Sequence, residues 1–478
     1  MTTTAQAGLF GFGPSSGKGV AVATANWFRH KALMVDFGVY DDARVFPPEV
    51  GGVPVPSGAY KGGYSVGGGA TIHPRLTNSL GWLLYGTLGD VNAAVSALNY
   101  LGTMAKTLLT GVTQVVSTGL TSPAASAKLC VRVYKGDNVA FTGEVTVGGT
   151  ATEGFDFDTG NALDAGQRID GIADRETIVG AESYTSVTSV SLPANALSAT
   201  DDIYISVGYE DAVAKNNVFE INSTNPACIP YMGFRKYIPA DCEASNYTLG
   251  ETYNDCKVVG LSLNLPGNDL ISARIDAIGT DFTLEQDPTW GTSSGSAGWA
   301  TAGGFETYVD TPISTNVLGY IRVPWDSGVN LPVIGATVGF QNIPLGERQE
   351  RVFGSAFRDD VTIVSRALTF NFIVKWTNPD LYRAVITGSK TGTAWSSTPF
   401  TARVDVMAYA GSNLTGSTVP ASLRIESRSI LLSIVGTPVL AGADAVLLRF
   451  AGSALDDPGY DYVRMSLVNL INGYTWPT

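Results

Sequence analysis

The stretch "GGATIHPRLTNSLGWLLYGTLG" (68–89) decides how the chain is read once it is set beside "SRALTFNFIVKWTNPDLYRAVITG" (365–388). In both, residues alternate with the period of a strand up to Thr-Asn, and a short apolar helix follows and stops at Gly. Asn78 and Asn378 stand where an N-cap side chain would accept from the first free backbone N–H groups. Gly86 or Gly89, and Gly388, stand where helices end. The strands align without gaps at an offset of 300, which places Ala70, Ile72, Pro74 and Leu76 against Phe370, Phe372, Val374 and Trp376. These positions share one face, so the pattern of burial is repeated and not merely the composition.

A second pair follows. "VVGLSLNLPGNDLISARIDAIGTDF" (258–282) and "ILLSIVGTPVLAGADAVLLRFAGSAL" (430–455) are each an apolar strand, a Gly/Pro turn and a second strand. The order strand–helix, then hairpin, therefore occurs twice. About 40 residues separate helix from hairpin in the second copy and about 170 in the first, so about 130 residues are inserted into the first copy. The expected division is 1–104 for an N-terminal arm and the first half of copy one, 105–225 for the insert, 226–345 for the rest of copy one, and 346–478 for copy two. Short strands recur in the insert at the spacing of an immunoglobulin-like β-sandwich. Acidic residues outnumber basic ones there by roughly three to one between Val131 and Glu220. "DFDTGNALD" (156–164) resembles the start of a calcium loop, but Gln167 stands where the bidentate Glu is required, so an acidic surface turn is expected.

Helical periodicity is rare elsewhere, and the fold class expected is mainly β with a few short helices. Charged residues are 15% of the 478, below the roughly 25% usual in soluble domains, which implies a surface covered by neighbouring subunits. A net charge of −13 argues against a groove that grips nucleic acid. The first twenty residues carry no basic segment ahead of an apolar core, so no secretory signal is expected. No membrane span is expected either, because the most apolar stretch (429–450) is broken by Gly436-Thr437-Pro438 and Asp444. Cys130, Cys228, Cys242 and Cys256 are too few for a disulfide scaffold and too widely spaced for zinc. Free thiols are expected, with a Cys242–Cys256 bridge as the alternative.

Catalytic motifs fail on inspection. "GFGPSSGKGV" (11–20) ends in Gly-Lys like a phosphate-binding loop, but Phe12 replaces the first Gly and Gly19 replaces the metal-binding hydroxyl. A flexible arm is the expectation. "GTSSG" (291–295) has the nucleophile-elbow pattern, yet the only histidines, His30 and His73, lie upstream of it. His73 is read as a strand residue and His30 as structural. Asp41-Asp42 and Asp359-Asp360 are read as solvated turn residues. The expected catalytic, cofactor-binding and metal sites are none, and no enzyme is expected.

The stretch "SGAYKGGYSVGGGATIHPRLTNSLGWLLYGTLGD" (57–90) resembles the tail tube proteins (major tail proteins) of long-tailed bacteriophages. It carries their glycine-bearing strand pair (Gly62, Gly63), the Arg at the strand end (Arg75) and the Leu80-Gly81-Trp82-Leu83-Leu84 helix. "GKGVAVATANW" (17–27), the hairpin from "CKVVGLSLNL" (256–265) onward and "SLVNLINGYTW" (466–476) fit the same family. The resemblance implies duplicated tail-tube β-sandwich or barrel domains whose sheets join neighbours into a closed barrel. It implies rings that stack into a conduit for DNA ejection from capsid to host. Two copies per chain favour a homotrimer of pseudo-six-fold symmetry, with a homohexamer as the alternative. Tape measure, terminator and baseplate proteins are the implied partners, and DNA passes through the lumen without specific binding. The implied location is the virion tail, assembled in the host cytoplasm, and the chain's acidity leads us to expect a negative lumen wall. The competing reading is a virion surface or adhesion protein with the acidic insert as its binding module.

Overall fold

Alternation of apolar and small polar residues produces strands almost throughout the computed structural model. The described residues run from 8 to 477, without 47–57, 77–78, 93, 222–224, 226–227, 241–246, 292–297, 300–311, 313–316, 323–328, 331–332, 353–354, 356–357, 378, 418, 437–445 and 457–461; between 105 and 202 they comprise strand backbones alone. The chain opens with β1 (Leu9–Pro14), β2 (Phe28–His30), β3 (Ala32–Val35), β4 (Gly38–Val45) and β5 (Ala59–Ile72), which lead into α1 (Ser79–Leu88). Next come β6 (Gly89–Val91), β7 (Val95–Met104), β8 (Gln114–Thr121), β9 (Leu129–Lys135), β10 (Gly143–Val147), β11 (Ala151–Phe155), β12 (Ser186–Leu192) and β13 (Ile203–Ile221). Copy one resumes with β14 (Met232–Ile238), β15 (Leu249–Leu265), β16 (Ser272–Gly279), β17 (Asp281–Gln286), β18 (Val317–Arg322), β19 (Val329–Asn330) and β20 (Val333–Pro344). The remainder is β21 (Ile363–Lys375), α2 (Asp380–Thr387), β22 (Thr401–Asn413), β23 (Pro420–Ile434), β24 (Leu447–Ala454) and β25 (Arg464–Asn469).

Both quoted strand–helix units end in hairpins arranged alike. β5 pairs with β16, the second arm of the β15–β16 hairpin, and β21 pairs with β24, the second arm of β23–β24. β20 bridges the two sets by pairing with β15 on one side and β21 on the other. The result is one antiparallel run, β5–β16–β15–β20–β21–β24–β23–β22. Its inner face is an unbroken row in register: Ile72, Ala273, Leu263, Val338, Phe370, Gly452 and Leu432 stand opposite one another in turn, and all seven are buried. Side chains directly opposite across strands are the contacts that stabilise a sheet. β5 and β21 thus each lie beside the second arm of a hairpin.

A second antiparallel set, β2–β1–β14–β15–β17, uses the first half of the long β15. The sequence reading expected an arm at 11–20. Instead β1 is buried along its length, with Phe10 and Phe12 in the core. Gly11 and Gly13 occur on its other face because a Cβ there would enter the Trp299 ring or the Asn26 carbonyl. Only after Pro14 does the chain turn outward. The loop at 15–19 is tied down by Gly19 N–H donating to Asp255 and by a Lys18–Asp359 ion pair of 3.1 Å. Nearby, the guanidinium of Arg235 (β14) lies 4.3, 4.6 and 3.8 Å from the indole centroids of Trp27, Trp290 and Trp299. This cation–π cage pins the segment around Trp290 and Trp299 to β14. Burial pushes the Arg235 pKa down to about 9, against the pull of Glu285.

α1 packs among β1, β6, β13 and β15. Leu80, Leu83, Leu84 and Leu88 enter the core, while Trp82 meets Tyr474 and Trp476 edge-on at 5.2 and 5.9 Å. The two glycines in "LGWLLYG" are packing residues: a Cβ on Gly81 would lie in the Tyr474 ring, and one on Gly86 against the Met232 sulfur. α1 runs through Gly86 and stops at Gly89, whose φ is +97°. α2 ends as expected on Gly388 at φ 74°, but its N-cap is Pro379, one residue later than expected, with no side-chain cap. Asn78 and Asn378 lie outside the described residues.

β11–β10–β12–β8 form a separate four-stranded antiparallel sheet, while β7 and β9 flank the first half of β13. The expected limit at 225 takes in the whole of β13. Lys215–Glu220 of β13 pair with β25, and Asn217 donates to Asn469 and to the Ile471 carbonyl in the core. That part of β13 pairs with strands from outside 105–225.

Candidate functional site: an open sheet face

The outer side of the eight-strand run presents residues in rows set by register. One row reads Thr71, Arg274, Ser262, Gly339, Thr369, Ser453, Leu431 and Thr401. The next reads Ser272, Asn264, Thr337, Asn371, Ala451 and Ser433. On the other side lie Gly69, Asp276, Gly260, Gln341 and Ala367. None of these residues is aromatic, and most are small and neutral. Strand alternation puts them there as surely as it puts Leu and Phe on the inner face.

Charge on this face is confined. Arg274 Nη2 donates to both Asp36 carboxylate oxygens at 3.0 and 2.7 Å, and its Nε donates to Asp276 at 2.9 Å. Asp36 also accepts from Gly69 N–H at 2.6 Å. Burial pushes the Asp36 carboxyl up, but its hydrogen bonds from Arg274 and Gly69 outweigh that and hold it below the ordinary value. Arg449 and Lys375 lie on the same side at one rim of the run, where both are exposed or half-exposed strand positions.

The second feature is the β4–β5 hairpin. Its base, Val66–Ile72, is sandwiched between β16 and the β3–β4 side, but Ala59–Ser65 pair with β4 alone. Tyr40, Val45, Phe46 and Tyr60 are exposed on it, an unusual load for a two-stranded ribbon. A cavity of about 680 Å³ lies at its foot, lined by Val39, Lys61, Tyr64, Glu251, Phe282 and Leu284 among others.

The residues weighed for chemistry are dispersed. His30 is buried and its Nδ1 lies 2.9 Å from the Lys31 carbonyl; His73, just past the end of β5, bonds the Ile271 carbonyl at 3.0 Å. Asp41-Asp42 are not in a turn but in β4, at a register shift, paired with Lys61 and Arg44. Asp360 accepts from Tyr231 and pairs with the buried Lys257 at 3.1 Å, while Asp359 holds Lys18. Cys256 is a free buried thiol pushed up by burial, which corrects the alternative of a bridge to Cys242; Cys228 is free and exposed. Ser293 and Ser294 of "GTSSG", the acidic turn at 156–164, Cys130 and Cys242 fall outside the described residues or side chains. Among the described residues no three His, Cys, Asp or Glu converge where an ion could be held. No helix among them is long and apolar enough to cross a membrane. No protein-family model matches the chain, and no curated protein matches it.

Proposed function

We propose that this protein is a structural subunit of a bacteriophage tail tube, with the open face of its eight-strand run lining the channel. The single observation that carries the reading is the continuous register through both strand–helix–hairpin sets, with a buried face on one side and a smooth small-residue face on the other. A run of this kind closes usefully only by association. A barrel of about eight strands leaves room for little more than its own side chains. Three chains would supply about twenty-four strands, which at about 4.8 Å each give a circumference of about 115 Å and a backbone diameter near 37 Å before tilt widens it. That is a conduit rather than a core. The two equivalent sets then make a homotrimer pseudo-six-fold, each set an inherited tube domain.

The exposed apolar hairpin suits contact with the next ring, since a ribbon with exposed aromatic residues gains by docking. The four-stranded sheet and the β7–β13–β9 strands fit an inserted immunoglobulin-like sandwich carried outside the tube. One expectation changes. The wall is close to neutral, and its acidity lies elsewhere in the chain, so DNA passes over small polar groups rather than along a repelling acidic surface.

Negative-stain images of the purified protein test the reading. Tubes or stacked rings whose end-on averages have three-fold symmetry are expected. Dispersed globules would favour the virion surface or adhesion protein, and strict six-fold averages would remove the two-domains-per-chain assignment.

A further inference from the structure

We infer that Asp36 and Asp276 mask Arg274, so that this cation of the open face is withheld from DNA phosphates. The inference rests on the tube reading and concerns how the wall treats its cargo. Arg274 projects from β16, the second strand of the run, beside Thr71 and Ser262, where a bare guanidinium would form bidentate contacts with a passing backbone. Its Nη2 is engaged by Asp36 and its Nε by Asp276, while Nη1 is buried and out of reach of solvent. The masking is built into the backbone. Asp36 lies at the corner between β3 and β4 and reaches across β5 to Arg274, and a Cβ on the intervening Gly69 would collide with both Asp276 and Arg274. At the offset of 300, Thr71 and Gly69 correspond to Asn371 and Thr369, whose partners on β24 are the neutral Ala451 and Ser453.

The test is capture of a short DNA duplex by sedimented tubes at about 50 and 200 mM salt, the range over which phosphate contacts weaken steeply. Lys375 and Arg449 set the baseline of the parent protein. Asp36→Asn with Asp276→Asn should raise duplex affinity about fivefold at the lower salt and steepen the salt dependence by about one phosphate contact per arginine engaged. Adding Arg274→Ala should return both to the parent values. The single Asp276→Asn variant leaves the Asp36–Gly69 bond intact and should show a smaller gain of the same sign, so a folding defect in the double variant does not decide the matter. Unchanged capture by Asp276→Asn and the double variant, or a gain that survives Arg274→Ala, overturns the inference. Absence of tubes from the parent protein would count against the tube reading instead, and is seen by microscopy before any duplex is added.

Discussion

At the scale of single residues, His30 couples folding to pH. Its ring stacks on Phe12 with centroids 6.0 Å apart, and burial pushes its pKa down to about 4, while the Lys31 carbonyl opposes that shift. The unfolded chain takes up this proton near pH 6.5 and the folded one only near 4, so between those values the unfolded state holds more protons and stability falls as pH falls. The loss across that window is at most about 3 kcal/mol. His30→Gln, with no titrating ring, should flatten the decline of the urea midpoint between pH 6.5 and 4, even if it lowers the midpoint at neutral pH. Asp36 acts in a lower window. Its folded value is depressed, so its contribution is full above the ordinary carboxylate range and is lost as pH falls through the lower folded value. A decline unchanged by His30→Gln would place the buried imidazole elsewhere.

At the scale of elements, α1 reverses the usual rule for glycine. Replacing a helical Gly by Ala ordinarily gains up to about 1 kcal/mol. At Gly81 the new methyl meets the Tyr474 ring, whose hydroxyl accepts from Asn469 at 2.7 Å and so cannot swing freely. Gly81→Ala should therefore lower stability by about 1–3 kcal/mol, read as a shift of the denaturant midpoint. The helix itself was legible in sequence, because its apolar run begins after a strand and ends at Gly89. The reason for its glycines was not, since Tyr474 lies almost 400 residues away. Legibility failed similarly at β1. "LFGFGP" alternates Phe with Gly, a period-two signal, but the Gly-Lys that follows drew attention to a loop, and the partners that fill the glycine face, Trp299 and Asn26, are set only by the fold. The open face was half legible: Ser262, Asn264, Thr337 and Asn371 visibly alternate with apolar residues. Their alignment into rows, and the reach of Asp36 to Arg274, depend on strand register and on the break between β3 and β4.

At the scale of the molecule, β13 links two groups of strands among the described residues. β13 begins between β7 and β9 and ends between β25 and β6, so its two halves serve different parts of the protein. Met104 at the end of β7 stands opposite Ile205 near the start of β13, which brings the two flanks of the insert within one strand spacing. Closing them with an Asn-Gly turn in place of 105–204 should therefore make β7 and β13 an ordinary hairpin. That variant should fold and still form tubes, because the sheets of the body keep every strand. Removing 105–225 should not fold. It deletes Val218 and Phe219 from the core, together with Asn217, whose loss leaves Asn469 without its partner across the sheet. Losing one buried Phe alone costs about 3–5 kcal/mol, a large share of the stability of a typical domain. Soluble yield and thermal melting of the two deletions give the comparison. Equal behaviour of both would mean that the second half of β13 is dispensable and that the body ends where the sequence first suggested.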